Sequence, residues 1–314
     1  MKVSKTILIT GGAGFIGSNL IKELLGRGYQ VCVIDNLSTG NIKNIEPFLN
    51  KIEFIEGDLI DLETVKNAVK GVDYILHQAA IPSVAHSIKN PLDSHNSNLN
   101  ATLNVLLAAK ENNVKKVIYA SSSSIYGGSP ELPKEENFPP NPLSFYALTK
   151  YAGEKYCQLF SKLCGLPTIS LRYFNIFGPN QDPDSEYSAV IPKFIKLMLQ
   201  GKQPVIYGDG EQTRDFTYID NTVEANILAM ESDISGEVIN IACGEMISLN
   251  QLVEIINKYL GKNIKPIYQD ERAGDVKHSL ADISKAKKLL GYKPIVMIEE
   301  GLKKLIDHYE RIKK

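Results

Sequence analysis

Residues 10–20 read "TGGAGFIGSNL", and this stretch decides the fold. Gly11, Gly14 and Gly17 stand three apart, between the β-branched run "TILIT" at 6–10 and a helical pattern over 18–26. Each glycine answers a separate need: a tight turn, a close approach of backbone to a pyrophosphate, and a helix packed hard against its strand. The helix that follows opens with unpaired N–H groups and the positive end of its dipole, which attract an anion. A glycine turn with no ligand has the same letters, so the neighbours decide. Asp35 closes the next β-run, "QVCVID", 18 residues beyond Gly17. A carboxylate there accepts from both ribose hydroxyls of a dinucleotide and repels a 2′-phosphate. No arginine follows closely, so NAD is favoured over NADP, with Asn36 and Ser38 as helpers.

Working outward, β-runs and helical stretches alternate: "IEFIEGD" at 52–58, "DYILHQAA" at 73–80, a helix over 98–112, "KKVIYASS" at 115–122, a helix opened by "SFYALTK", and "TISLRYFN" at 168–175. This alternation predicts an α/β fold, a Rossmann-type doubly wound parallel sheet of six or seven strands. After Asn175 the rhythm changes to a Pro- and Asp-rich stretch, a helix near 189–200 and a short strand near 204–207. A smaller α/β C-terminal substrate domain is expected there. The run "EVINIA" at 237–242 reads as a strand returned to the sheet. The division is therefore interleaved: 1–175 with about 215–242 as the NAD-binding domain, about 176–214 with 243–314 as the substrate domain.

The chain has 314 residues, 43% hydrophobic and 23% charged, the profile of a globular protein with a large core. Its net charge is -1 and its 35 basic residues are scattered, which points away from nucleic acid. No apolar run approaches the roughly 20 residues that span a bilayer, and the amino-terminal stretch has no signal-type apolar region. A cytoplasmic protein without a membrane partner is expected. Cys32, Cys157, Cys164 and Cys243 form no Cys-x-x-Cys pair and have no histidines at zinc spacing, so free thiols and no metal site are expected.

The ends of the β-runs carry the chemistry, because open α/β sheets bind ligands at that edge. Asp58 and Leu59 close the third run, where they could bracket an adenine; a solvated Asp is the plain alternative. Gln78, Ala79 and Ala80 are small groups at the exit of the fourth run, on the cofactor's path, and His77 reads as a packed strand residue. "ASSSSIYGG" at 120–128 sets four hydroxyls at the edge, where a serine can hold a substrate hydroxyl toward a base.

In "SFYALTK" (144–150), Tyr146 and Lys150 share a helix face at i and i+4, and an ammonium beside a phenol depresses its pKa. The same spacing recurs at Tyr151/Lys155 and Tyr309/Lys313. The former lies half a turn round the helix, and the latter falls in a C-terminal tail read as remote from the nucleotide turn. Only the first pair follows a serine-bearing strand end.

Together "GGAGFIG", "DN" at 35–36, "GDL" at 57–59, "HQAA", "SSSSIYG", "YALTK", "LRYFNIFGP" and "GDGEQTRDFTYID" run in order over nearly the whole chain. In them the sequence resembles the extended short-chain dehydrogenase/reductase family. "RYFNIFGPNQDP", "AVIPKFI" and "DVKHSLADISKAKKLLGY" narrow this to NAD-dependent nucleotide-sugar 4-epimerases, nearest the UDP-N-acetylglucosamine group, with UDP-glucose and UDP-uronate relatives.

The resemblance implies cofactor contacts from Gly11, Gly14, Phe15, Ile16, Gly17, Asp35, Asn36, Asp58, Leu59, Gln78, Ala80, Asn98, Lys150 and Tyr173. It makes Tyr146 the base and Lys150 the group that lowers its pKa and holds the nicotinamide ribose. Ser122 contacts the sugar O4; Ser123 stays open, because four serines in a row leave the register soft. The implied UDP-sugar contacts are Ser83, Asn175, Ala189, Val190, Arg214, Arg272 and Asp275, the two arginines forking the diphosphate. Gln181 and Ser279 stand near the sugar's C2 substituent, and a small residue at 279 leaves room for an N-acetyl group without excluding plain hexoses.

Relatives that dehydrate or decarboxylate place a carboxylate just after the strand-end Thr/Ser; Ser123 and Ser124 stand there in this chain. The expected reaction is therefore 4-epimerisation through a 4-keto sugar. UDP-N-acetylglucosamine leads as substrate, UDP-glucose is a further one, and a UDP-uronate is the alternative. Nucleotide-binding sensors of this fold usually lack the Tyr/Lys pair. Finally, Leu103, Leu106, Leu107, Leu159, Phe160 and Leu163 widen the apolar faces of two helices, which agrees with the family's four-helix homodimer; a wide buried face in a monomer is the alternative.

Overall fold

The structure, a computed structural model, describes residues 5–183, 190–271 and 276–312. The first half contains β1 (Thr6–Thr10), α1 (Phe15–Gly26), β2 (Gln30–Asp35), β3 (Glu53–Glu56), α2 (Leu62–Ala68) and β4 (Tyr74–His77). It continues with α3 (Val84–Lys89), α4 (Pro91–His95), α5 (Ala101–Glu111), β5 (Lys116–Ser122), α6 (Phe145–Cys164) and β6 (Thr168–Tyr173). These six strands and Glu237–Ile241 form one seven-stranded sheet, in the order Glu237–Ile241, β6, β5, β4, β1, β2, β3. All the pairings are parallel.

Parallel strands need long crossovers, and these place helices on both faces. Ile7, Leu8 and Ile9 are consequently all buried, though successive side chains point to opposite faces. Leu20, Ile21 and Leu24 of α1 pack with Ile7 and Ile9 on one face. Val65 of α2, Val105 and Leu106 of α5 and Cys157 of α6 pack with Leu8 and Ile75 on the other. Each such aliphatic side chain, fully buried, contributes about 1.5–3 kcal/mol.

Three boundaries differ from those read in the sequence. α1 begins at Phe15, since the glycine turn itself supplies its extended N-cap, Gly14, which apolar periodicity does not show. β3 stops at Glu56, so Asp58 and Leu59 lie in the turn beyond it. The helix expected from residue 98 begins earlier: α4 runs through a π turn, Asn96–Asn100, into α5. The extra residue in that turn is accompanied by an inward Asn98, which is buried.

Past residue 175 the elements are small. Short strands pair Ile176–Phe177 with Thr217–Tyr218, Thr213–Arg214 with Ile247–Ser248, and Val205–Tyr207 with Ile267–Gln269. Asp215 joins these pieces to the sheet. Its buried carboxylate accepts from the backbone N–H groups of Cys243 (3.0 Å), Gly244 (3.1 Å) and Ala281 (3.2 Å). Burial outweighs those three donors and pushes its pKa up to about 7.

The C-terminal helix Ile298–Ile312 corrects the expectation of a remote tail. Leu302, Leu305 and Ile306 bury it in the core cluster that holds α1, and Tyr309 packs against the same cluster. Among the described residues no helix is long and apolar enough to cross a membrane.

α6 lies close to the sheet because residue 153 has no side chain. A Cβ on Gly153 would stand 2.3 Å from the hydroxyl of the buried Tyr119. Gly153→Ala should therefore cost about 1–3 kcal/mol of unfolding free energy, read from urea denaturation. An unchanged midpoint would refute this packing.

Candidate active site

A cleft of about 2030 Å³ runs along the carboxyl ends of the strands. It includes the point where strand order reverses beside β1, the usual ligand crevice of such sheets. Ligand pockets commonly measure about 300–1,000 Å³, so this one has room for two ligands end to end.

At one end lies the glycine turn. Gly11 has φ +69° and Gly14 caps α1. A Cβ on Gly17 would meet the Gly11 carbonyl oxygen at 2.3 Å, so α1 is packed on the turn as tightly as backbone allows. Phe15 and Ile16 line the cleft beside it. Asp35 accepts from Ala13 N (2.9 Å) and Leu37 N (2.8 Å), and burial raises its pKa against those two bonds. Asn36 Nδ2 donates to Asp58 (2.9 Å), and Ser38 Oγ donates to Asn36 Oδ1 (2.7 Å). Leu59, Gln78, Ala79 and Ala80 complete this wall. The glycine cradle, the anion-attracting start of α1 and a carboxylate at the tip of β2 fit a dinucleotide, the NAD of the sequence reading.

Asn98 was expected at the cofactor but is absent from the cleft wall. It braces the wall from behind, accepting from Ile81 N (2.8 Å) and donating to Thr149 Oγ1 (3.2 Å). Tyr173 reaches the cleft, and its hydroxyl bonds Gln78 Oε1 (3.2 Å) and Asn226 (2.8 Å). Asn226, fully buried on the helix Ile219–Glu231, was not singled out in the sequence; no local motif marks it.

The middle of the cleft holds Ser122, Ser123, Tyr146 and Lys150. The Ser122 side chain stands near enough to the Tyr146 phenol to oppose the effect of burial on its pKa, and its hydroxyl accepts from Ser124 N (3.2 Å) and Ser124 Oγ (2.9 Å). Of the two candidates, Ser122 is the one whose side chain acts on the phenol's pKa.

Lys150 is buried; its Nζ donates to Ala120 O (2.8 Å) and stands 5.1 Å from the Tyr119 ring centre. The sequence spacing called for an ammonium that lowers the phenol's pKa. Instead, burial raises Tyr146 against the opposing effect of the Ser122 side chain, and the Lys150 ammonium is bonded to a strand carbonyl. Burial likewise pushes Lys150 down to about 7. His77, hydrogen-bonded to Thr10 and Thr102, is a buried structural group pushed down to about 3.

Of the two other Tyr/Lys pairs, Tyr151/Lys155 is off the cleft wall, with Lys155 Nζ 5.2 Å from the Tyr151 ring centre. Tyr309 itself lines the cleft, with His308. Its partner Lys313 lies outside the described residues.

The far wall carries Ser83, Asn175, Gln181, Arg214 and Ser279. Ser83 caps α3 by accepting from His86 N (2.9 Å). Asn175 takes φ +40° and donates to Asp215 O (3.0 Å). Arg214 Nη1 donates to Thr213 O (2.8 Å) and Lys277 O (3.2 Å), and Ser279 N to Thr213 O (3.1 Å). Gln181 Oε1 is buried without a donor among the described residues. Val190 begins the helix Val190–Leu199 and is not on the wall, since that helix turns its apolar side to the core. Ala189, Arg272 and Asp275 lie outside the described residues.

Residues 7–242 match the model of the NAD dependent epimerase/dehydratase family. Three solved structures are similar. The UDP-N-acetylglucosamine 4-epimerase of Methanobrevibacter ruminantium M1, in complex with UDP-N-acetylmuramic acid, is 43% identical with a TM-score of 0.94, covering 98% of this chain and 99% of that one. The UDP-glucose 4-epimerase of Thermotoga maritima, with UDP-glucose, is 37% identical with a TM-score of 0.94, covering 98% and 100%. The UDP-glucuronic acid 4-epimerase of Bacillus cereus, with UDP-glucuronic acid and NAD, is 36% identical with a TM-score of 0.90, covering 98% and 99%.

The depressed Lys150 has a measurable consequence. Between about 7 and its ordinary 10.5, the unfolded chain binds a proton that the folded chain does not. Stability should therefore rise with pH across that window, by up to about 1.4 kcal/mol per unit. Lys150→Met removes the effect. In urea unfolding at fixed pH, wild type should gain on the variant from neutral to alkaline pH, and a constant gap would show Lys150 ionised in the fold.

Proposed function

The chain belongs to the NAD dependent epimerase/dehydratase family, and from that premise we propose that it interconverts the C4 epimers of a UDP-hexose through a 4-keto sugar. The observation that carries this reading is the meeting of Ser122, Tyr146 and a buried Lys150 on the wall of the cleft that holds the glycine turn. NAD, when bound in the glycine cradle, supplies a reversible hydride acceptor for C4. Ser122 holds the 4-hydroxyl, and the Tyr146 oxygen takes its proton and later returns it. Because burial raises the phenol's pKa, its anion is a strong base once formed. Lys150 is assigned to hold the nicotinamide ribose, and its ammonium favours the phenol's anion only on turning from Ala120 O toward it.

The keto sugar must turn over to receive hydride on its other face. Arg214 and Arg272 are assigned to grip the diphosphate meanwhile, since guanidinium forks phosphate oxygens in pairs. The cleft's carboxylates among the described residues are Asp35, Asp58, Asp93 and Asp182, and none belongs to the strand end 121–124. That favours simple epimerisation over elimination or decarboxylation. We assign the acetylated sugar as preferred substrate because Ser279 leaves space on the wall, with UDP-glucose as a further substrate. The UDP-uronates are the alternative, as the Bacillus cereus relative acts on one. Residues 1–175 with about 215–242 would carry NAD, and about 176–214 with 243–314 the nucleotide sugar. The unpaired cysteines suit a reducing cytoplasm.

A homodimer is also proposed. Phe145, Leu148, Leu159 and Leu163 form an exposed apolar stripe along α6, opposite its catalytic face. Leu107 of α5 is exposed too. Pairing these helices with a second copy's gives a four-helix bundle.

Wild type should form the 4-epimer of UDP-N-acetylglucosamine, and Tyr146→Phe should lower kcat by about 10²–10⁴ while UDP-sugar binding persists. Ser279→Tyr should depress turnover of the acetylated sugar and spare UDP-glucose. Failure of wild type on UDP-N-acetylglucosamine, UDP-glucose and both UDP-uronates would overturn the epimerase reading. Sedimentation at micromolar concentration should give twice the chain mass, and Leu163→Glu should weaken the association. A monomeric wild type rules out the bundle.

A further inference from the structure

Glu154 lies one turn beyond Lys150 and two beyond Tyr146, on the same face of α6. Its carboxylate is fully buried. Oε1 accepts from Ser121 Oγ and from Arg172 Nε (2.8 Å), while Oε2 accepts from Arg172 Nη2 (2.8 Å). Ser121 and Arg172 are register partners on β5 and β6. One residue further along the same strands stand Ser122 and Tyr173, also register partners, and both reach the cleft. One carboxylate thus grips both strands a single residue short of the site.

The grip continues outward. The Arg172 guanidinium lies 4.7 Å from the Tyr126 ring centre, and Tyr126 donates to Asn240 Oδ1 (2.7 Å). Asn240 Nδ2 donates to Lys134 O (2.8 Å) and Asp282 O (3.2 Å), three residues past Ser279. The chain of contacts joins the helix of Tyr146 to the wall of Ser279.

A buried ion pair stabilises a fold little compared with a packed apolar pair of the same size, since desolvation cancels much of the attraction. Its distinctive property is orientation: a two-bond fork holds both groups in one plane. Proton transfer between Tyr146 and a hydroxyl on Ser122 is sensitive to that orientation, for a misplacement of about 1 Å can cost about a hundredfold in rate.

We propose that Glu154, through its fork with Arg172 and its bond to Ser121, is a positioning residue that sets Ser122 against Tyr146 for proton transfer. The role rests on the epimerase reading above. It is tested by steady-state kinetics on the purified enzyme, with UDP binding followed by calorimetry. Ser121→Ala removes one hydroxyl and strands no charge; Glu154→Gln keeps the shape but leaves the guanidinium uncompensated. In both, kcat should fall about tenfold or more, with KM and UDP affinity within about twofold of wild type. Glu154→Asp, which retains the charge, should recover part of the loss. If Glu154→Gln does not fold, Ser121→Ala decides alone. An unchanged kcat in Ser121→Ala, or a loss carried equally by KM, overturns the positioning role and leaves the epimerase reading standing. Wild type inactive on every UDP-sugar overturns the epimerase reading and this role with it.

Discussion

All seven strands of the sheet run in one direction, and the whole cleft depends on that constraint. A parallel strand can be reached only by a long crossover, and the twist of the chain makes that crossover right-handed. Every strand therefore delivers its carboxyl end to the same edge. The glycine turn after Thr10, Asp35, Gln78, Ser122 and Tyr173 come from five strands and meet there with no further device. Reversal of strand order beside β1 then opens the crevice into which they face.

Burial gives these groups their chemistry. In water a phenol and an ammonium at i and i+4 would each titrate near its ordinary value. Here both ionised forms are disfavoured, so Tyr146 is raised and Lys150 lowered, and each depends on a specific partner. The Ser122 side chain opposes that rise at the phenol and Ala120 O accepts from the ammonium, both on β5. The position of α6 against β5 is thus an electrostatic variable as well as a packing one, and Gly153 and Glu154 are the residues that set it from the helix side.

Several features were legible because their requirement is local. A glycine turn must have glycines where backbone crowds backbone, as Gly17 does against Gly11, and a ribose-binding carboxylate must close the next strand. What the sequence did not show is the path of distant chain. Tyr309 was placed far from the nucleotide turn, yet its helix folds back on α1's cluster. Asn98 was placed at the cofactor, yet the π turn aims it at Ile81 and Thr149. Asn226 bonds Tyr173 across a long stretch of sequence, and Asp215 matters through Cys243, Gly244 and Ala281, none of them a neighbour in sequence.

The sequence by itself determined the parallel α/β class, the nucleotide turn and the sharing of one helix face by Tyr146 and Lys150, because periods of two and 3.6 residues settle which side chains point together. Only the tertiary structure decided that Tyr309 reaches the cleft too, which way Lys150's ammonium turns, and whether the phenol's pKa goes down or up. Those outcomes follow from solvent exclusion and hydrogen-bond partners, and both are contributed by segments that meet only when the chain is folded.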